Sequence, residues 1–135
     1  MNVSKWFAIG LAGALAAPAA LAAGYPDKPV EMVVAGNAGG GLDLTGRALE
    51  TALREAKLFP ETFAIKNVGG AGGNVARAQV NQKKGDGHVL YVESNRIYVN
   101  RIVGTTQLTH NDVTPIGRLI TEYVAWVVRA DSPYK

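Results

Sequence analysis

Residues 33–50 read VVAGNAGGGLDLTGRALE, five glycines set between a β-branched run and an amphipathic helix. So much bare backbone at the end of a strand brings main-chain amides close to whatever lies there, with no Cβ in the way. Upstream, PVEMVVAG (29–36) reads as a short buried strand ended by glycine. Downstream, LDLTGRALETALREAKL (42–58) switches to helical periodicity. Leu44, Ala48, Leu49, Ala52, Leu53 and Ala56 recur at three- and four-residue spacing as one apolar stripe. Asp43 stands where an N-cap is expected, and Glu50 and Arg54 form an i,i+4 pair on the wet face.

The same pattern then repeats. ETFAIKN (61–67) reads as a second strand, VGGAGGN (68–74) as a second glycine loop, and NVARAQVNQKK (74–84) as a short helix. Val75, Ala76, Gln79 and Val80 are expected on the packed side of that helix. GDG (85–87) is a turn and HVLYVES (88–94) a third strand. A β-α-β-α-β order with short connections predicts an α/β fold with a parallel sheet covered by helices. SNRIYVNRIVG (94–104) suggests a loop and a helical turn. DVTPIGRL (112–119) and EYVAWVVRA (122–130) suggest two further extended segments.

The N-terminus carries a different message. Residues 1–22 hold one charge, Lys5, an alanine-rich apolar run broken by Pro18, and Ala20-Leu21-Ala22, a small-x-small cleavage pattern. These are the marks of a cleaved secretory signal peptide. The remaining 113 residues hold 13 Lys and Arg against 11 Asp and Glu, a net charge of about +2. That weak bias comes without a basic cluster, which argues against a nucleic-acid partner. The chain has no cysteine, so an exported domain of this sequence is held by its core alone. Together these features point to a bacterial periplasm.

In a parallel α/β sheet, loops that follow successive strands lie side by side at the carboxyl edge, where ligands bind. Each glycine loop here opens a helix, whose free N–H groups and positive dipole end favour an anion. No Gly-Lys-Ser/Thr follows either loop, which excludes a P-loop. Neither loop spells Gly-x-Gly-x-x-Gly, and the second strand ends in Lys66-Asn67 with no acidic residue to hold a ribose. An exported Rossmann-like enzyme is thereby disfavoured. No Ser-His-Asp or Cys-His arrangement can be read, so no catalytic residue and no cofactor is assigned. His88 and His110 read as ordinary core-edge or surface histidines, and Asp86 with His88 lacks further metal ligands.

Five stretches together resemble the TctC-like (Bug) periplasmic solute receptors of tripartite tricarboxylate transporters: YPDKPVEMVV (25–34), AGGGLDLTGRAL (38–49), KNVGGAGGNVARAQV (66–80), KKGDGHVLYVES (83–94) and DVTPIGRLITEYVAWVVRADSPYK (112–135). The resemblance covers essentially the whole chain after residue 22, in the family's order. It implies a two-lobed periplasmic-binding-protein fold that closes on a small organic carboxylate and delivers it to membrane subunits. The family's first loop maps onto Ala38, Gly39, Gly40, Gly41 and Asp43, with Thr45 just inside the helix. The second maps onto Gly70, Gly72, Gly73 and Asn74, and Ser94 and Asn95 fall at family pocket positions. Asp43 fits both a ligand role and an N-cap role.

Two departures stand out. The first loop has AGNAGGG where the family often places a proline, so Asn37 is free to add a side-chain hydrogen bond. The family's Asn-Arg-Pro-Gly-Ala-Gly-Gly pattern appears here as NVGGAGG. The resemblance also implies a division into a signal peptide (1–22), a partial first lobe (23–122) and a crossing strand toward a second lobe (123–135). On that division the chain matches an N-terminal portion of a receptor. The competing expectation is a truncated fragment without a transport role.

Overall fold

A computed structural model describes residues 24–59, 63–123 and 125–134. The signal-peptide reading of residues 1–22 lies outside the described residues. The backbone forms β1 (Val30–Val34), α1 (Gly41–Glu55), β2 (Phe63–Asn67), α2 (Asn74–Gln82), β3 (Val89–Val92) and α3 (Arg96–Ile102), with single 3-10 turns at Ala71–Gly73 and His110–Asp112.

The sheet has three parallel strands in the order β2-β1-β3. β1 is central: Val30 pairs with Phe63 and Val34 with Asn67 on one side, while Glu31 pairs with Val89 and Val34 with Val92 on the other. A strand covered on both faces needs apolar side chains in both directions. β1 meets that demand, with Val30, Met32, Val33 and Val34 almost wholly inaccessible to solvent. Each such burial is worth about 1.5–3 kcal/mol before entropy is counted. Glu31 is the exception, and it pairs with Lys66 at 3.8 Å and with Lys83.

The two faces carry separate cores. On one face Val30, Met32, Val34, Phe63 and Val92 pack against Leu42, Leu49 and Leu53 of α1. On the other, Val33, Ala35, Val68 and Ala76 pack with Val80, Val89 and Tyr91. α1 and α2 therefore cover opposite faces, and the sheet is doubly wound. This is the α/β architecture expected from the sequence, with four differences of detail.

The apolar stripe of α1 runs through Leu42, Gly46, Leu49 and Leu53, not through Leu44, Ala48 and Ala52. Leu44 is 61% exposed. Gly46 is the reason: it is buried, and a Cβ there would sit 3.1 Å from Met32 Sδ, so the helix presses its glycine into the sheet. The second difference is in α2, where Val75 is exposed and Arg77 is buried in its place.

The third difference concerns 94–104, which contains a regular helix, α3. Finally, the segments 112–119 and 122–130 join no ladder among the described residues. Tyr123 and Trp126 are each 97% exposed. An apolar run becomes a strand only when a neighbour satisfies its backbone, and none among the described residues pairs with it.

Candidate functional site

The chain leaves β1 toward β2 and returns past it to β3, so the connections diverge between the carboxyl ends of β1 and β3. Such a switch point opens a crevice in doubly wound sheets. Three segments meet there: Gly36–Gly40 after β1, Val68–Gly73 after β2, and Glu93–Asn95 after β3.

The first loop is stapled from below. Gly39, in a left-handed conformation (φ 78°), donates its N–H to Asp43 Oδ2 at 2.8 Å. Asp43 also accepts from Arg47 Nε at 3.0 Å and Asn67 Nδ2 at 3.0 Å. Its side chain is 3% exposed. The Arg47 guanidinium, then the Gly39 amide and Asn67, hold the carboxyl down to about 2. The expected N-cap role is thus corrected. α1 starts at Gly41 with Gly40 as N-cap and no side-chain cap, so Asp43 is the third helical residue reaching back over the turn. The carboxylate is fully engaged within the protein, which makes it a strut for the loop.

The second loop is built from left-handed backbone, with φ of 111° at Gly70, 47° at Ala71, 63° at Gly72 and 92° at Gly73. It docks on its neighbours where glycine leaves room. A Cβ on Gly69 would lie 2.0 Å from Asn37 Oδ1, so Asn37 of the first loop rests directly on Gly69. A Cβ on Gly73 would lie 2.7 Å from Glu93 Oε2. The second glycine loop therefore touches both the first loop and the end of β3.

The predicted site residues divide by exposure. Asn37, Ala38, Gly39, Gly40, Gly41, Gly70 and Asn95 face solvent at this edge. Gly72 and Ser94 are half-buried, and Gly73 is buried. Thr45 spends its hydroxyl proton on Gly41 O at 2.8 Å. Asn74 is absorbed by Asn100, Arg77 and Thr105. Ser94 donates its amide to Glu93 Oε1 at 2.9 Å. By helix geometry the first amides of α1 have no intrahelical acceptor, and no side chain caps them.

Reading from sequence missed Asn67, Arg77, Glu93 and Asn100. Arg77 is fully buried, bonded through Nη2 to Glu93 Oε2 at 3.1 Å and through Nη1 to Asn74 Oδ1 at 3.1 Å. Asn100 donates to Gly72 O at 2.8 Å. Burial, then the Glu93 carboxylate, push the Tyr91 hydroxyl far above its ordinary range, so it stays a donor to Glu93. Only the two-residue offset of Tyr91 and Glu93 on one strand face hinted at this cluster. The histidines are tied up locally: His88 lies beside Tyr25 and 2.7 Å from Asp27, and His110 beside Tyr98.

The comparisons with known proteins agree with the fold. A TctC solute binding protein from Polaromonas, solved without ligand, superposes with a TM-score of 0.60 and 32% identity, covering 65% of this chain and 30% of its own. This chain resembles the TctC-like (Bug) solute-binding proteins. A UPF0065 protein of Bordetella bronchiseptica is 30% identical over 88% of the chain and 36% of its own length. The UPF0065 protein in the gbd 5′ region of Cupriavidus necator is 31% identical over 95% of the chain and 38% of its own length. The TctC-like chain thus spans somewhat over a third of the curated relatives it matches. No protein-family model matches it.

Proposed function

We propose that this TctC-like chain forms part of a periplasmic solute-binding protein that captures a small organic carboxylate for a tripartite tricarboxylate-type transporter, without enzymatic activity of its own. The observation that carries this reading is the convergence of three loops at the carboxyl edge of the sheet, with the exposed backbone of Asn37–Gly41 at the start of α1. Amides at a helix start, with no side-chain cap over them, favour a carboxylate. In this reading Asn37, Ala38, Gly39, Gly40 and Gly41 hold the anion. Gly70, Gly72, Gly73 and Asn74 line the second wall, and Ser94 and Asn95 the third. Asp43 and Thr45 act from beneath, by shaping the first loop.

Gly40→Val tests it. Gly40 has φ −78° and ψ 168°, which any residue adopts, so the substitution adds bulk over the loop with little backbone strain. The new Cβ meets Asn37 O at 3.1 Å, a contact relieved by a shift of a few tenths of an ångström. Calorimetric titration of the chain with succinate, citrate, glutamate and benzoate is expected to show saturable binding of at least one, lost in Gly40→Val with the circular dichroism unchanged. Equal affinity in both proteins would remove the first loop from the site.

A further inference from the structure

Beneath the second glycine loop lies a network of hydrogen-bonded, largely buried polar groups. Glu93 Oε2 accepts from Arg77 Nη2, Arg77 Nη1 donates to Asn74 Oδ1, Asn74 Oδ1 accepts from Asn100 Nδ2 at 2.9 Å, and Asn100 Nδ2 donates to Gly72 O. The other oxygen of Glu93 accepts the Ser94 amide. The Arg77 side chain is 0% exposed and that of Glu93 6%. Four elements converge on this network: the loop, α2, the end of β3 and α3.

A buried ion pair contributes little net stability, because desolvation offsets the Coulomb attraction, and apolar replacements are often neutral or stabilising. Its value here lies in geometry. Arg77 offers two donors in a rigid fork, one aimed at each side of the loop. Glu93 fills the space that a Cβ on Gly73 would take, and so presses on the loop where it turns into α2.

We propose that the Arg77–Glu93 pair is the positioning element of this site, fixing the second glycine loop and Ser94 relative to one another. The inference rests on the carboxylate-binding reading for its consequence, but its structural content can be tested without a ligand. Arg77 and Glu93 do not touch the ligand; they hold the residues that do.

The test uses the full chain carrying Arg77→Met with Glu93→Leu, alongside Glu93→Gln. The reporter is hydrogen exchange at the Gly73 amide, which donates to Gly70 O at 3.0 Å and bonds to neither charged side chain. The Val68 amide, bonded to Val34 O at 2.9 Å in the sheet, is the control. In the double variant the Tm is expected to hold or rise, protection of Gly73 to fall at least about tenfold, and Val68 to stay as it was. The carboxylate probe that binds the parent chain should bind about tenfold more weakly or worse.

Equal loss of protection at Gly73 and Val68 with a lower Tm means a purely structural pair, and overturns the proposal. So does unchanged protection at Gly73. If the double variant does not fold, Glu93→Gln decides by the same comparison, since it keeps the shape and mismatches one buried donor. If the parent binds none of the four probes, the carboxylate reading fails, and exchange at Gly73 still decides whether the pair positions the loop.

Discussion

Asp43 reaches back one helical turn to accept the N–H of Gly39 at 2.8 Å, so the first glycine loop is tied to the helix it introduces. The same carboxylate ties both to the end of β2 through Asn67. With its folded value near 2, below the ordinary 3.8, Asp43 contributes stability that is fully present above about pH 4 and lost as pH falls through 2. Thermal melts of the parent and of Asp43→Asn between pH 5 and pH 2 check this. The variant is expected to melt lower at pH 5, and the gap should close as the pH falls. A constant gap across that range would contradict the strut role.

Gly73 is constrained twice, by its φ of 92° and by the Glu93 carboxylate in the place of a Cβ. Gly85 has φ 88° and nothing within 4 Å of a Cβ position. Gly85→Ala therefore isolates backbone strain, about 1–2 kcal/mol. Gly73→Ala adds the clash and should cost more, about 3 kcal/mol. Urea unfolding of the two variants gives the comparison, and equal costs would show that Glu93 yields freely.

The corrected face of α1 gives a third test. Leu53 packs on the core around Met32 and Phe63, whereas Leu44 points outward. Leu53→Ala should cost about 2 kcal/mol or more, and Leu44→Ala within about 0.5 kcal/mol. Equal costs would restore the stripe expected from spacing alone, which held both residues.

That stripe shows where sequence reading stops. The alternation of β-branched runs with helical periods made the β-α-β-α-β order legible, because each period reports local geometry. The glycine loops were legible for a similar reason, since their lack of side chains is itself the signal. Leu44 and Leu42 are equally apolar, however, and spacing alone does not show that a helix will turn Gly46 inward to meet Met32. Asp43 was placed at the cap because Asp is common there. The cap instead fell three residues earlier, at Gly40, which has no side chain to offer.

The buried polar network was harder still. Arg77 sits in NVARAQV, a stretch that reads as a wet helix face, and its partner Glu93 lies just past the end of a strand. Asn100 belongs to α3, where the apolar pattern was ambiguous. Pairing across that much chain depends on how α2 crosses the sheet, which no local pattern encodes.

The central position of β1 has a kinetic consequence. Both its neighbours are parallel, so Val30 waits for Phe63 and Glu31 for Val89. No rung of the sheet can form by a short hairpin; each requires a helical crossover to close first. β1 thus emerges before both of its partners and is fully paired only when β3 arrives; until then its apolar run, broken only by Glu31, stays open to other chains. Folding of this chain is expected to be slow for its size, and its yield set by how long β1 remains uncovered.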